Sequence, residues 1–146
     1  MSIFKNVYKE FPWYSDGTTG FVDVEDVVRA MMMLMESDIS KERFILSGTN
    51  TSYHELFDLI AKAFGKKQPY KKVTPFIAAV VWRLEKLKSL FTGKKPLVTK
   101  ETAKTAQAKV QFDNTKLLKY LPAFSYSTLE KSIERICKAF EEKYSL

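Results

Sequence analysis

Short β-prone runs never follow one another in this chain; a helical stripe separates each from the next. Phe21-Val22-Asp23-Val24, placed after Gly20, predicts one buried strand. Arg43-Phe44-Ile45-Leu46-Ser47, ended by Gly48, predicts a second, and Val110-Gln111-Phe112 a third, shorter extended segment. Two or three strands are too few for a sheet of ordinary size, and a parallel sheet needs both faces covered. The chain therefore reads as part of a larger α/β fold, or as an α-rich domain with a small sheet.

About five helices are expected around those strands. Val27, Val28, Met31, Leu34 and Met35 recur at helical spacing and predict a helix over 25–36. Asp23, Glu25 and Asp26 stand at its start, where carboxylates can accept free backbone N–H groups; Asp26 reads as a helix-start cap. Ser52-Tyr53-His54-Glu55 has the spacing of a capping box. The helix after it should bury Leu56, Leu59, Ile60, Ala63 and Phe64, and Gly65 supplies a left-handed stop. Ile77, Val80, Val81, Leu84, Leu87 and Phe91 mark a helix of about four turns, closed by Gly93. Another should run from Thr99 to about Lys109, and a brief one from Lys116 to Tyr120, capped by Asn114 or Thr115 and stopped by Pro122. Ser127-Thr128-Leu129-Glu130 repeats the capping-box spacing, ahead of a helix burying Leu129, Ile133, Ile136, Cys137 and Phe140. The first twenty residues, with Phe11-Pro12-Trp13-Tyr14 leading into Ser15-Asp16-Gly17-Thr18-Thr19-Gly20, read as loop.

At 146 residues and 45% hydrophobic composition, the chain has the material for one cored domain. Its longest apolar run, Phe76 to Trp82, is far short of the roughly 20 residues that span a bilayer. Cys137 is the only cysteine, which fits a reducing, cytoplasmic setting. The net charge of +7 is uneven: residues 1–64 carry 6 basic and 10 acidic side chains, residues 65–109 carry 12 and 2. A basic middle third can attract anions, but a solvated lysine face explains it more simply.

Absences narrow the chemistry. The glycines, at 17, 20, 48, 65 and 93, form no G-x-G-x-x-G or G-x-x-x-x-G-K phosphate loop. No tyrosine is followed four residues later by lysine. One histidine and one cysteine make no His/Cys zinc site. His54 reads as a surface helix residue and Cys137 as inert core. Among Met31, Met32, Met33 and Met35, only Met31 and Met35 share the valine face; the cluster is expected to be buried against a missing or partner element. The best functional candidate is the loop Trp13 to Thr19, which sets aromatics, hydroxyls and a carboxylate just before a strand.

The run Asp16-Gly17-Thr18-Thr19-Gly20-Phe21-Val22-Asp23-Val24-Glu25-Asp26-Val27 resembles the stretch that begins the C-terminal half of extended short-chain dehydrogenases/reductases, the NAD-dependent epimerase/dehydratase superfamily. Its Thr-Gly-Phe-Val-Asp-Val-x-Asp-Val form is most similar to dihydroflavonol-reductase-like members. Arg43 to Gly48, Ser52-Tyr53-x-Glu55-Leu56, Gly65-Lys66-Lys67-x-Pro69, Trp82-Arg83-Leu84-Glu85, Thr92 to Thr102 and Phe112-Asp113-Asn114-x-Lys116 follow in the same order. The resemblance covers essentially all 146 residues.

It implies a predominantly helical α/β fragment, the C-terminal lobe of an extended short-chain dehydrogenase/reductase fold lacking most of the Rossmann sheet. Residues 1–146 would form one substrate-binding lobe. The family's dinucleotide loop and catalytic Tyr-x-x-x-Lys lie N-terminal to everything here, so no catalytic or cofactor-binding residue carries over. NAD or NADP would serve the full-length protein, not this chain alone. Trp13, Tyr14, Ser15, Thr18 and Thr19 match the segment lining the substrate cleft. Sugar-nucleotide epimerases carry an arginine shortly before this strand; Thr18, Thr19 and Gly20 stand here, which points to a smaller carbonyl compound.

The expected function is thus the substrate side of an NAD(P)-dependent reductase or epimerase-like oxidoreductase, inactive alone and prone to homo-oligomerise through exposed apolar surface. One alternative is a basic anion- or nucleic-acid-binding module using Lys66, Lys67, Lys71, Lys72, Lys94, Lys95 and Lys100. It lacks any nucleic-acid recognition motif. The other is a subunit complementing a separate Rossmann chain.

Overall fold

The structure, a computed structural model, describes residues 2–92 and 100–144. Seven helices and four short strands lie among them, in the order α1 (Ser2–Tyr8), β1 (Trp13–Tyr14), β2 (Thr18–Phe21), α2 (Val24–Met35), β3 (Thr49–Ser52), α3 (Tyr53–Ala63), β4 (Lys71–Lys72), α4 (Pro75–Thr92), α5 (Lys100–Thr105), α6 (Thr115–Tyr120) and α7 (Leu129–Tyr144). This is the helix-rich α/β fragment that the sequence predicts, with more and shorter elements.

β2 and β3 pair antiparallel, Thr18 opposite Ser52 and Phe21 opposite Thr49, while β1 and β4 form a separate two-residue parallel pair. The other edge of β2 is also used: Thr18 N–H donates to Ala108 O at 2.9 Å, and Val110 N–H donates to Thr18 O at 2.9 Å. That contact is the form taken by the extended segment expected near Val110.

Two apolar clusters hold the elements. Val7 of α1, Leu56, Ile60, Ala61 and Phe64 of α3 and its cap, and Ile133, Cys137 and Phe140 of α7 form the larger. Ala30 of α2 with Leu117, Leu121 and Phe124 forms the second, against which Met33, Leu34, Phe44 and Leu46 pack. Burying such side chains contributes about 1.5–3 kcal/mol each.

The best-supported local expectation is α3. Ser52 Oγ accepts the Glu55 N–H at 3.1 Å, and Gly65 adopts φ 61° just after the helix. The reciprocal half of the box differs, because the Glu55 carboxylate takes the Thr51 hydroxyl. Ala61, rather than Ala63, is the buried alanine.

Several expectations are corrected. Residues 2–8 are helical, because Ile3, Phe4, Val7 and Tyr8 present one apolar face to α3 and α7. Residues 43–47 form no strand, and the second strand is instead Thr49–Ser52. Asp23, not Asp26, caps α2, accepting the Glu25 N–H at 3.0 Å. Asp26 is buried and accepts from Arg29 Nη2, Ser127 N and Ser127 Oγ at 2.6–2.8 Å. That bond diverts the Ser127 hydroxyl from the capping role expected of it. α5 stops at Thr105, short of Lys109. Asn114 occupies the cap position of α6 without a side-chain cap bond, since its amide donates to Ser47 O; Asp113 accepts the Thr115 N–H instead. The valine face of α2 faces outward: Val28, Met31 and Met35 are 51%, 53% and 82% exposed. Val80, Val81 and Leu84 of α4 are exposed as well. Gly93 and Thr99, expected to bound helices, lie outside the described residues.

Candidate functional site

The segment Trp13 to Thr19 is built as a strand, a glycine crossing and a second strand. Pro12 O accepts the N–H groups of Tyr70 and Lys71 at 3.1 and 2.8 Å, and Val73 N–H donates to Tyr14 O at 2.8 Å. These bonds set Trp13 and Tyr14 beside Lys71 and Lys72. Gly17 then passes so close to α5's trailing turn that a Cβ there would meet Ala106 C at 2.8 Å and Ala108 O at 2.9 Å. Only a residue without a side chain fits this crossing. Gly17 O accepts the Tyr53 N–H at 3.0 Å, tying the segment to the start of α3.

Side chains from β1, α3 and β4 meet in two groups, one around Tyr14 and one around Trp13, which alternate across the strand. The Tyr14 ring stacks on the His54 imidazole, 3.8 Å between centroids and 17° from parallel. His54 Nε2 lies 3.6 Å from Asp58 Oδ2 one helical turn on. Lys71 Nζ stands 5.4 Å from the Trp13 ring centroid and 5.6 Å from that of Tyr70, within cation–π range. Lys72 Nζ donates to Asp16 Oδ2 at 2.6 Å. This bond and its charge hold the Asp16 carboxyl below the usual carboxylate range and raise Lys72.

Of the five residues expected at the substrate wall, the structure groups Trp13 and Tyr14 with Lys71 and His54, and leaves Ser15 partly buried between the strands. Thr18 and Thr19 belong to β2, their backbones committed to the ladder opposite Ser52 and Thr51. His54 reads from sequence as a plain surface residue; its stacking partner lies 40 positions earlier, and no local pattern carries that contact.

Each group is engaged within the chain: Tyr14 by His54, Trp13 and Tyr70 by Lys71, and the Asp16 carboxylate by Lys72. Among the described residues no three His, Cys, Asp or Glu side chains gather to hold a metal ion. No helix among them is long and apolar enough to cross a membrane.

Three clefts lie elsewhere and meet at the start of α2. A mainly apolar groove of about 300 Å³ is bounded by Phe4, Phe21, Val22, Val24, Leu129 and Ile133. A polar cleft of about 340 Å³ is bounded by Asp23, Glu25, Arg29, Ser127, Lys131 and Arg135. A third, about 370 Å³, runs along Val24, Val28, Met32 and Met33.

Three of the lysines proposed for anion contact are engaged: Lys72 with Asp16, Lys71 with Trp13 and Tyr70, and Lys66 over the Tyr8 ring at 4.8 Å. Lys94 and Lys95 lie outside the described residues, and so does the side chain of Lys100.

No family model matches this sequence, and no curated protein does. Solved structures do. A crystal structure of gox2253 superposes with TM-score 0.72 at 22% identity, over 98% of this chain and 43% of that one. PA4631, a nucleoside-diphosphate-sugar epimerase from Pseudomonas aeruginosa, gives 0.73 at 20% identity, over 97% and 42%. RMD from the same organism, solved with NADPH, gives 0.62 at 14% identity, over 97% and 42%.

The fold is a part of theirs. The chain spans less than half the length of these structures, and nearly all of it is used in the match. At these identities the likeness establishes a fragment of a short-chain dehydrogenase/reductase-like fold.

Proposed function

We propose that these residues form the substrate-side part of an NAD(P)-dependent reductase or epimerase-like oxidoreductase of the extended short-chain dehydrogenase/reductase superfamily, and that they do not turn over alone. One observation carries this reading: 97–98% of the chain superposes on only 42–43% of each neighbour. The sequence also contains neither a Gly-rich dinucleotide loop nor a Tyr-x-x-x-Lys pair. The form of the Thr19 to Val27 motif supports the dihydroflavonol-reductase-like branch.

In this reading Trp13, Tyr14 and Ser15 face the substrate, with Lys71 and His54 holding the two aromatic rings. Thr18 and Thr19 act through β2, fixing the height of that wall. A small carbonyl compound fits a wall with threonines where sugar-nucleotide enzymes place an arginine.

Calorimetric titration of the chain with NADPH and with NAD+ tests the proposal. No binding at micromolar concentration is expected, and clear micromolar binding of either would contradict it. For the substrate side, Trp82→Phe leaves Trp13 the sole indole. Its fluorescence should then respond to small aldehydes or ketones, and indifference to every one would remove Trp13 from the wall.

A further inference from the structure

α4 is turned with its bulkier side outward. Phe76, Val80 and Leu84 follow one another at one-turn intervals and are 78%, 40% and 59% exposed, with Val81 beside them at 39%. Ala78, on the opposite side of the helix, is buried. A helix held by a core does the reverse, hiding its large apolar residues and exposing polar ones. Among the described elements α4 packs chiefly against α5, whose six residues are too few to cover an eighteen-residue helix about 27 Å long.

The charge around this stripe is one-sided. Residues 65–109 carry 12 basic side chains and only 2 acidic ones, Glu85 and Glu101. Lys71, Lys72, Arg83, Lys104 and Lys109 are all exposed. Arg83 stands at the border of the stripe. Its guanidinium lies 4.7 Å from the Trp82 ring centroid and donates to Ala79 O at 2.8 Å, so the stem follows the helix while the charge stays at the surface.

We propose that α4 is an interfacial helix, lying in the plane of a bilayer whose surface carries anionic lipids, with Phe76, Val80, Val81 and Leu84 seated among the headgroups. An apolar stripe bordered by cations is the form that such helices take. No described helix is long and apolar enough to cross a membrane, so the contact is with the surface alone. Other occupants fit less well. A second copy seated on this face by two-fold symmetry would set one strongly basic segment against another. A nucleic-acid backbone would satisfy the cations but leave the stripe in water. A polypeptide would have to be apolar and strongly acidic together, whereas anionic lipid supplies both over any area. The proposal is independent of the functional reading above.

Flotation of the chain with vesicles tests it. The chain should rise with vesicles of mixed phosphatidylglycerol and phosphatidylcholine, and stay behind with phosphatidylcholine alone. The bound fraction should fall as salt rises from about 0.05 M to about 0.5 M, because salt screens the lysines. Phe76→Ser combined with Leu84→Ser, at two exposed positions, should lower vesicle affinity on the order of tenfold or more, the scale of transferring two large apolar side chains. Thermal unfolding of that pair should match the parent. Val28→Ser, on the exposed face of α2, should leave vesicle binding unchanged. No flotation at low salt would overturn the proposal, as would equal binding to phosphatidylcholine alone. Binding that the Phe76 and Leu84 pair leaves intact would reduce the contact to lysine charge and overturn it too, and an equal loss with Val28→Ser would move the contact off α4. A dimer in sedimentation equilibrium that Phe76→Ser dissociates would make a second copy the occupant instead. Retention by polyglutamate that the same pair abolishes, without flotation, would make it an acidic polypeptide.

Discussion

Asp26 holds Ser127 by both of its donors: the backbone N–H and the hydroxyl each reach the buried carboxylate at 2.8 Å, across 101 residues of sequence. Arg29, half in solvent, completes the set at 2.6 Å. The start of α2 is thereby fastened to the turn before α7. Removing the carboxylate, itself only 1% exposed, strands the two Ser127 donors, while Arg29 keeps solvent and the Ser125 carbonyl. Asp26→Ala should therefore destabilise by about 3 kcal/mol, and Ser127→Ala by about 1 kcal/mol. Urea unfolding of both variants checks the ratio; equal, small losses would show that the carboxylate is not the fastening.

A second fastening beside it is sensitive to acid. Burial raises the Asp23 carboxyl, but hydrogen bonds from Arg135, the Ser132 hydroxyl and the Glu25 N–H outweigh it and bring the pKa down to about 2. A carboxylate lowered on folding contributes stability above its unfolded value, near 3.9, that disappears as pH falls towards 2. Arg135 is 43% exposed, so solvent screens the gain, to about 1–2 kcal/mol. Asp23→Asn should remove it while keeping the α2 cap. The stability gap between parent and variant should close from pH 5 to pH 2, as followed by urea midpoints. A gap constant with pH would rule out this linkage.

The same region shows what sequence can and cannot carry. The capping Ser52 and the stop at Gly65 are local, so α3 is legible from spacing alone. The role of Asp26 is not, because a carboxylate in the first turn looks like a cap whether or not a serine 101 residues away claims it. α2's buried side is misread for a related reason. Its stripe of valines and methionines is the more apolar face, but the folded residues bury Ala30 and Asp26 instead. The strand expected at 43–47 does not form, since pairing depends on a partner and not on propensity. At the candidate site Trp13 and Tyr14 read from sequence as loop aromatics, whereas the structure sets them half-buried in β1. Lys71 and His54, which hold them, arrive from elements more than 35 residues on.

Two glycines should respond to alanine for different reasons. At Gly65 there is open space but φ is 61°, so Gly65→Ala should cost about 1 kcal/mol through backbone strain. At Gly17 the obstacle is the backbone of Ala106 and Ala108. Gly17→Ala must push that turn away from β2, at about 2 kcal/mol. Hydrogen exchange separates them, because only Gly17→Ala should expose the Val110 amide, which bonds Thr18 O.

Cys137 sits 3% exposed in the main cluster, and burial, with Glu141 nearby, pushes its thiol up to about 11. The thiolate is the reactive form, so at pH 8 the native protein should barely react with a disulfide reagent. Reaction should become rapid and complete in denaturing urea, at a rate set by the ordinary thiol. Fast native labelling would mean that α7 opens locally from α1 and α3.

The Tyr14–His54 stack connects the candidate substrate wall to α3, and its worth can be isolated. Offset and stacked ring pairs contribute about 0.5–1.5 kcal/mol beyond the area they bury. Tyr14→Ala and His54→Ala each remove that contact, so the double variant should lose less than the sum of the singles by a comparable amount. His54 is also 3.6 Å from Asp58, and His54→Phe keeps the stack while removing the imidazole's interaction with that carboxylate. If stacking is what positions Tyr14, His54→Phe should retain most of the coupling and His54→Ala none. Thermal unfolding of the cycle gives the coupling energy. Strict additivity of the singles would mean that the rings merely lie near each other, and that Tyr14 is held by its β1 backbone bonds alone.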